Sequence, residues 1–268
     1  MSSNTWTLLA VSSEVQDWRS SIWRIVEWQH FASTMKIVDN ASEQDLLENL
    51  LEASKPPIPR DTAGLDYLLA TPFRYDPARS GSRFRSATDP GVFYGAGSVR
   101  TACAEPGYWR WKFLKDAEDL DKIEPVAHTA FRTDVRTRAV DLRESPFSKD
   151  AACWAHPTDY ATTQSLARAA RKTGIGAIVY HSVRDPQPGW CTAILTPTAF
   201  AARKPHSSTQ KWLLAVHQDH VIWRREREVF TFQMLAATSP SRPARASRKA
   251  TRTLKSKPRP SGVEPKAD

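Results

Sequence analysis

Several things are scarce in this 268-residue chain, and each scarcity excludes a class of protein. Long hydrophobic runs are missing: apolar stretches such as Trp212 to Val216 stop after a few residues, far short of the roughly 18 that a bilayer-spanning helix needs. The first thirty residues lack a basic start followed by an apolar block, so no secretory signal is expected. Cysteine is down to three, Cys103, Cys153 and Cys191, with no Cys-x-x-Cys pair among them. An odd, widely spaced set argues against a disulfide framework and offers no thiolate zinc site, so a soluble protein of the reducing cytoplasm is expected. The ten glycines do not form a Gly-x-Gly-x-x-Gly or Walker loop. His-Glu-x-x-His and Gly-x-Ser-x-Gly are also missing, which leaves no support for a metal hydrolase or a nucleophile elbow. No metal is expected.

What is present is apolar mass and an uneven charge. The chain is 40% hydrophobic and holds ten tryptophans, enough to fill a core, an interface or a ligand pocket. Of the net charge of +9, a tail from Ala236 onward carries +7, with nine Lys or Arg against Glu264 and Asp268. Residues 1–235 are left with +2. The tail also holds five prolines and almost no large apolar residue, so it cannot offset the entropy of ordering and reads as disordered. Such a tail suits loose contact with polyanions or plain solubilisation. A nearly neutral body argues against the folded part being a nucleic-acid reader.

Within the body, residues 1–21 read as an extension with a short helix around Glu14 to Ser20, and Ile22 to Trp28 reads as a strand. Ser42 to Asp45 has capping-box spacing, and Leu46, Leu47, Leu50 and Leu51 recur with helical period until Lys55-Pro56-Pro57 stops them. Gly81 to Ala96 suggests two strands about a turn at Asp89-Pro90-Gly91. Ser98 to Leu120 reads as a helix interrupted at Pro106-Gly107. Further strands are expected over Val126 to Val135, Ala177 to Val183 and Cys191 to Leu195, with a helix over Thr158 to Lys172 closed by Gly174. Lys211 to His217 and His220 to Arg227 predict a hairpin. No internal repeat is visible. Strands and helices are interspersed without strict alternation, which predicts an α+β fold with a mixed or antiparallel sheet core and surrounding helices.

Three local clusters carry more information. The first is Gly81-Ser82-Arg83-Phe84-Arg85 with Gly91-Val92-Phe93-Tyr94-Gly95-Ala96; the second is Ala102-Cys103-Ala104-Glu105 leading into Gly107-Tyr108-Trp109-Arg110-Trp111; the third is Val179 to Pro186 leading into Gly189-Trp190-Cys191. Upstream stand Trp23-Arg24-Ile25-Val26-Glu27 and a stretch from Ser33 to Pro57. In this order the clusters resemble the RES domain family, over roughly Ile22 to Phe232. The resemblance implies a fold similar to ADP-ribosyltransferases and an NAD⁺-consuming enzyme that cleaves the nicotinamide–ribose bond. It also implies a growth-inhibiting toxin neutralised by a helix-turn-helix (Xre-type) antitoxin. Phosphate, water or a protein side chain is the acceptor in such proteins. Phosphorolysis, hydrolysis and protein ADP-ribosylation therefore stay open, beside a non-enzymatic protein that binds nucleic acid through its tail.

Carried over by motif position, Arg83 and Arg24 would hold the NAD⁺ phosphates, for which a planar guanidinium suits bidentate contacts. Tyr94 would stack on nicotinamide or bond the ribose, and Ser182 would bond the ribose or the nicotinamide amide. Arg184 would add a phosphate contact if the strand continues past Ser182. Glu105 would be the buried carboxylate that stabilises an oxocarbenium-like state. Glu105, Arg83 and Ser182 thus form the expected catalytic set. The residues alone also allow a surface arginine at 83, a structural ion pair at 24, a core tyrosine at 94 and a solvated helix glutamate at 105. The chain departs from the family pattern in Gly-Ser-Arg for Gly-Gly-Arg, in one extra residue between Arg83 and Tyr94, and in a longer turn at Gln187-Pro188-Gly189. Pro106 next to Glu105 is expected to end or kink the helix there. The run Tyr108 to Trp111 is expected to pack in the core rather than stack on bases, and His181 to be a packing or surface residue.

Overall fold

The computed structural model describes residues 6–28, 38–74, 81–117 and 119–234. The basic tail and the first part of the Ser33 to Pro57 stretch lie outside the described residues. Eight strands form a mixed sheet: β1 (Gln16–Glu27), β2 (Phe93–Ala96), β3 (Ile123–Asp141), β4 (Ala177–His181), β5 (Trp190–Ile194), β6 (Gln210–Val216), β7 (His220–Arg225) and β8 (Glu228–Gln233). Six helices accompany it: α1 (Leu8–Ser13), α2 (Ala41–Ser54), α3 (Tyr67–Arg74), α4 (Val99–Asp116), α5 (Ala151–Trp154) and α6 (Ala161–Lys172). The fold class is the expected α+β one, with a mixed sheet core surrounded by helices.

β3 is the spine. Its residues His128 to Ala139 pair antiparallel with the whole of β1, its first half with β6, and its last three residues run parallel to β4. β4 then pairs with β5 and β5 with β2, both antiparallel, and β2 touches β1 through Trp23 and Ala96. The pairings therefore close into a ring, β1–β2–β5–β4–β3, with β6, β7 and β8 continuing from β3 as a meander. β3–β4 is the parallel pair in an otherwise antiparallel sheet. The ring brings Arg24 on β1 beside Tyr94 on β2, though they are seventy positions apart in the chain.

Alternation decides which faces are covered. Trp212, Leu214 and Val216 of β6 are buried while Leu213 between them is exposed, the period-2 pattern of a half-buried strand. They pack with Trp223 against Cys103, Ala104, Trp111 and Leu114 of α4, at helical spacing. Each large side chain so covered contributes about 1.5–3 kcal/mol. On the other arm, Phe84, Val140, Phe147, Leu166 and Ile178 form a second cluster under α6, to which α1 adds Val11.

Several expectations are corrected. Glu14 to Ser20 is not helical: α1 ends at Ser13 and Gln16 begins β1, because its mostly polar residues find backbone partners along β3. Residues 6–21, read as an extension, thus contribute a helix and half a strand to this body. The cap of α2 lies two residues earlier than expected, at Asn40, whose side chain accepts from the Glu43 amide while Glu43 accepts from Asp39 N–H. Between Gly81 and Ala96 there is one strand, β2; Ser82 to Arg85 is a tight turn closed by reciprocal backbone bonds. A further strand, β8, follows a turn at Glu226, which adopts a left-handed φ of 51°. Gly174 closes α6 as expected, with φ of 69°.

Candidate active site

Pro106 does not interrupt its helix: α4 runs unbroken from Val99 to Asp116. A proline inside a helix forfeits one backbone bond, and the buried stripe of Cys103, Ala104, Gly107, Trp111 and Leu114 outweighs that loss. A methyl group at Gly107 would come within 3.1 Å of Trp223 and 3.0 Å of Val221, so the glycine lets α4 lie close on β7. α4 begins directly after β2, capped by Ser98. Glu105, two turns along, therefore lies near the end of the strand that carries Tyr94.

A cavity of about 440 Å³ opens between β1, β2, the 81–85 turn, α4 and the start of α6, with Arg24, Ser82, Arg83, Tyr94, Glu105, Trp109 and Tyr160 on its walls. The volume falls among the roughly 300–1,000 Å³ typical of small-molecule sites. Among the described residues no group of three or more His, Cys, Asp or Glu is placed to hold a metal ion, and no helix is long and apolar enough to cross a membrane.

Two guanidiniums line this cavity. Arg83, 7% exposed, donates from Nη1 to the carbonyls of Trp154 (2.8 Å) and His156 (2.9 Å) and lies over the Tyr160 ring. Its Nη2 is buried without a partner. Arg24 donates to the Tyr94 carbonyl at 2.9 Å and lies over Phe93, with Nε buried and unpartnered. Burial pushes the Arg24 guanidinium down to about 10, so it stays cationic at neutral pH. An unsatisfied buried donor costs about 1–3 kcal/mol, a cost that a bound anion would offset.

Tyr94 is held through its hydroxyl, which accepts from the Phe84 amide (3.0 Å) and shares a 2.7 Å bond with Ser82. The serine that departs from the Gly-Gly-Arg pattern thus anchors the cavity tyrosine. Burial raises the Tyr94 phenol, so it remains protonated. Glu105 is not buried as expected: its side chain is 49% exposed at the cavity mouth, because its helix face looks outward. Its negative charge still reaches the interior, raising Tyr94, Tyr180 and Cys191 further after burial has done so. Cys191, on the wall, is pushed up to about 12 and stays a thiol.

Ser182 and Arg184 are placed differently. β4 ends at His181, so the condition for Arg184 to share a strand face with Ser182 is not met. Ser182 lies in the following loop, where its hydroxyl accepts from the Asp185 amide at 3.1 Å; Val183, rather than Ser182 or Arg184, lines the cavity. Arg184 lies 3.5 Å over the Tyr108 ring, donates to the Pro157 carbonyl at 2.7 Å, and brings Nε within 3.9 Å of Glu105. The loop itself is fixed by Asp185, buried against Arg100 and Thr101 of α4. Arg24, Arg83, Tyr94 and Glu105 are thus brought together, Arg184 reaches the rim, and Ser182 stands outside.

Several wall residues carried no assignment in the sequence, among them Tyr160, Ser82 and Trp109. Tyr160 follows a loop with no motif and left no signal. Ser82 was visible only as a departure from a pattern. Trp109 stood in a run expected to be core; Trp111 is, with its indole bonded to the Gln218 carbonyl, but Trp109 is 47% exposed beside Glu105. His181 is exposed.

Among solved structures, the chain is similar to one described as the crystal structure of the M. tuberculosis MbcT–MbcA toxin–antitoxin complex. The identity is 11% and the TM-score 0.45, over 76% of this chain and 90% of that one. Comparison with curated proteins finds no match. The family model described as the RES domain matches residues 58–217, more than half of the chain; Arg83, Tyr94, Glu105, Ser182 and Arg184 lie inside that span and Arg24 lies upstream of it. On that match, the chain belongs to the RES domain family.

Proposed function

We propose that the protein consumes NAD⁺ by cleaving the nicotinamide–ribose bond, with phosphate or water as acceptor, and acts as a growth-inhibiting toxin. The observation that carries this reading is the cavity where Arg24 and Arg83, each with a buried unpartnered nitrogen, face Tyr94 and the Glu105 carboxylate. Two guanidiniums suit a pyrophosphate. An aromatic hydroxyl and a carboxylate suit a ribose that gains positive charge as its bond to nicotinamide stretches. Nicotinamide leaves neutral, taking the bonding pair, so no strong general acid is needed. The nucleophile's oxygen then bonds the anomeric carbon and, when it is water, sheds its proton to solvent. Arg184 at the rim, 3.9 Å from Glu105, joins the phosphate contacts once substrate is bound, and Ser182 acts by fixing the loop that carries Arg184.

In this reading the partner is a helix-turn-helix antitoxin, the catalytic body includes α1 and the whole of β1 together with residues 22–235, and the basic tail is accessory. The test is to mix the full chain with NAD⁺, with and without phosphate, and follow free nicotinamide by chromatography. ADP-ribose-1″-phosphate marks phosphorolysis, free ADP-ribose marks hydrolysis, and labelled protein marks transfer. No nicotinamide under any condition overturns the reading.

A further inference from the structure

We infer that Trp109 is a positioning residue for Glu105, fixing one carboxylate oxygen so that the other is left for the reacting ribose. The inference rests on the NAD⁺ reading of the cavity. Glu105 and Trp109 stand four apart on α4 and so share a helix face, and both line the cavity. The indole Nε1 of Trp109 donates to Glu105 Oε1 at 2.9 Å. Oε2 has Arg184 Nε at 3.9 Å, beyond hydrogen-bond range, so this oxygen accepts no hydrogen bond from that neighbour and is left for a ligand at the cavity that Glu105 lines. Arg184 does not compete for that oxygen, since it is seated on Tyr108 and bonded to the Pro157 carbonyl.

Burial does not account for this tryptophan. Two residues on, Trp111 is 8% exposed and packs in the core, whereas Trp109 leaves 47% of its surface in contact with solvent. What the exposed indole does have is one polar bond, to the carboxylate, and a brace, the Tyr108 ring set edge-on at 5.4 Å. A glutamate that is half in water samples many rotamers, and holding one oxygen removes that freedom before substrate arrives. A neutral donor also fixes the carboxylate without adding a second cation to the Arg184 guanidinium already 3.9 Å from Oε2.

The experiment measures kcat and KM for nicotinamide release by the full chain as wild type, Trp109→Phe, Trp109→Gln, Glu105→Gln and the double variant Trp109→Phe/Glu105→Gln. The phenylalanine keeps a ring but loses the N–H; the glutamine restores a donor. Trp109→Phe is expected to lower kcat about 10- to 100-fold with KM within about threefold of wild type. Trp109→Gln is expected to recover part of the loss. In the Glu105→Gln background the Phe substitution is expected to change nothing further, since coupled groups are non-additive. Wild-type kcat in Trp109→Phe, a rise in KM alone, a glutamine variant no better than the phenylalanine, or independent multiplying effects in the double variant each overturn the inference. A wild type that releases no nicotinamide overturns the NAD⁺ reading itself, and this inference with it.

Discussion

Replacing Arg83 by methionine separates the two things that a buried arginine can do. The side chain keeps its bulk, but the variant loses bonds from Nη1 to the Trp154 and His156 carbonyls. Hydrogen bonds to a charged group contribute about 1.5–3 kcal/mol each. Against this stand the removal of a desolvated, unpartnered Nη2, about 1–3 kcal/mol, and the exposure of the 155–159 loop, where a freed carbonyl can take water. The net loss of stability is therefore about 1–3 kcal/mol, or about 2–12 °C in melting temperature for a body of this size. Ligand binding has no such offset. A lost contact between guanidinium and phosphate costs about 2–5 kcal/mol, a factor of about 30 to 4,000 in Kd. Calorimetry with ADP-ribose, which has the pyrophosphate but no bond to cleave, reads this directly. A folded Arg83→Met protein that binds ADP-ribose as well as wild type would refute the reasoning, as would wholesale unfolding, which would make Arg83 a structural residue alone.

Other expectations follow from the same geometry. Glu105→Gln keeps the size and the half-exposed setting of the side chain, so folding is unchanged while nicotinamide release falls about 10²–10³-fold; a rate near wild type in the melting-matched variant removes Glu105 from the chemistry. Burial lowers the Arg24 guanidinium to about 10, partly opposed by Tyr94, so it is cationic at neutral pH. Arg24→Met is therefore expected to weaken ADP-ribose binding by about 30- to 4,000-fold in calorimetry at neutral pH, and wild-type affinity in the folded variant removes Arg24 from the phosphate contacts. Cys191 is pushed up to about 12, chiefly by burial and then by the Glu105 charge, and Cys103 is also raised, while Cys153 is exposed. Alkylation at about pH 8 should therefore mark Cys153 first on peptide mapping; equal labelling of Cys191 contradicts a thiol held protonated by its surroundings. Deleting residues 236–268 is expected to leave NAD⁺ turnover intact and to abolish retention on a polyanion column; persistent retention would locate that contact in the body.

What could be read beforehand followed from local chemistry. Strands β4 to β7 and helix α6 announce themselves by apolar runs, alternation and a glycine stop, and they form close to where those signals lie. β8 was hidden because Arg224 to Glu228 is a run of five charged residues: Arg224 and Arg225 end β7, Glu226 and Arg227 make the turn, and Glu228 begins β8. The first half of β1 is polar because it is paired along its backbone rather than buried on both faces, and a pattern of apolar residues cannot report a backbone pairing. Pro106 misleads for the opposite reason: local preference is overruled by the packing of α4 on the sheet. The motif residues Arg83, Tyr94 and Glu105 could be named from order alone. Their convergence with Arg24 depends on the one backbone pairing between β1 and β2, Trp23 with Ala96, that closes the ring, a long-range event with no local signature. Tyr160, supplied by the loop before α6, depends on Arg83 docking against that loop.

The most direct measurement is a crystal structure of the Glu105→Gln variant with NAD⁺ bound. The expected result has the pyrophosphate on the guanidiniums of Arg24 and Arg83, the nicotinamide ribose beside Tyr94, and its anomeric carbon facing residue 105. A dinucleotide seated elsewhere, or one that enters this cavity with its phosphates pointing away from both arginines, would contradict it.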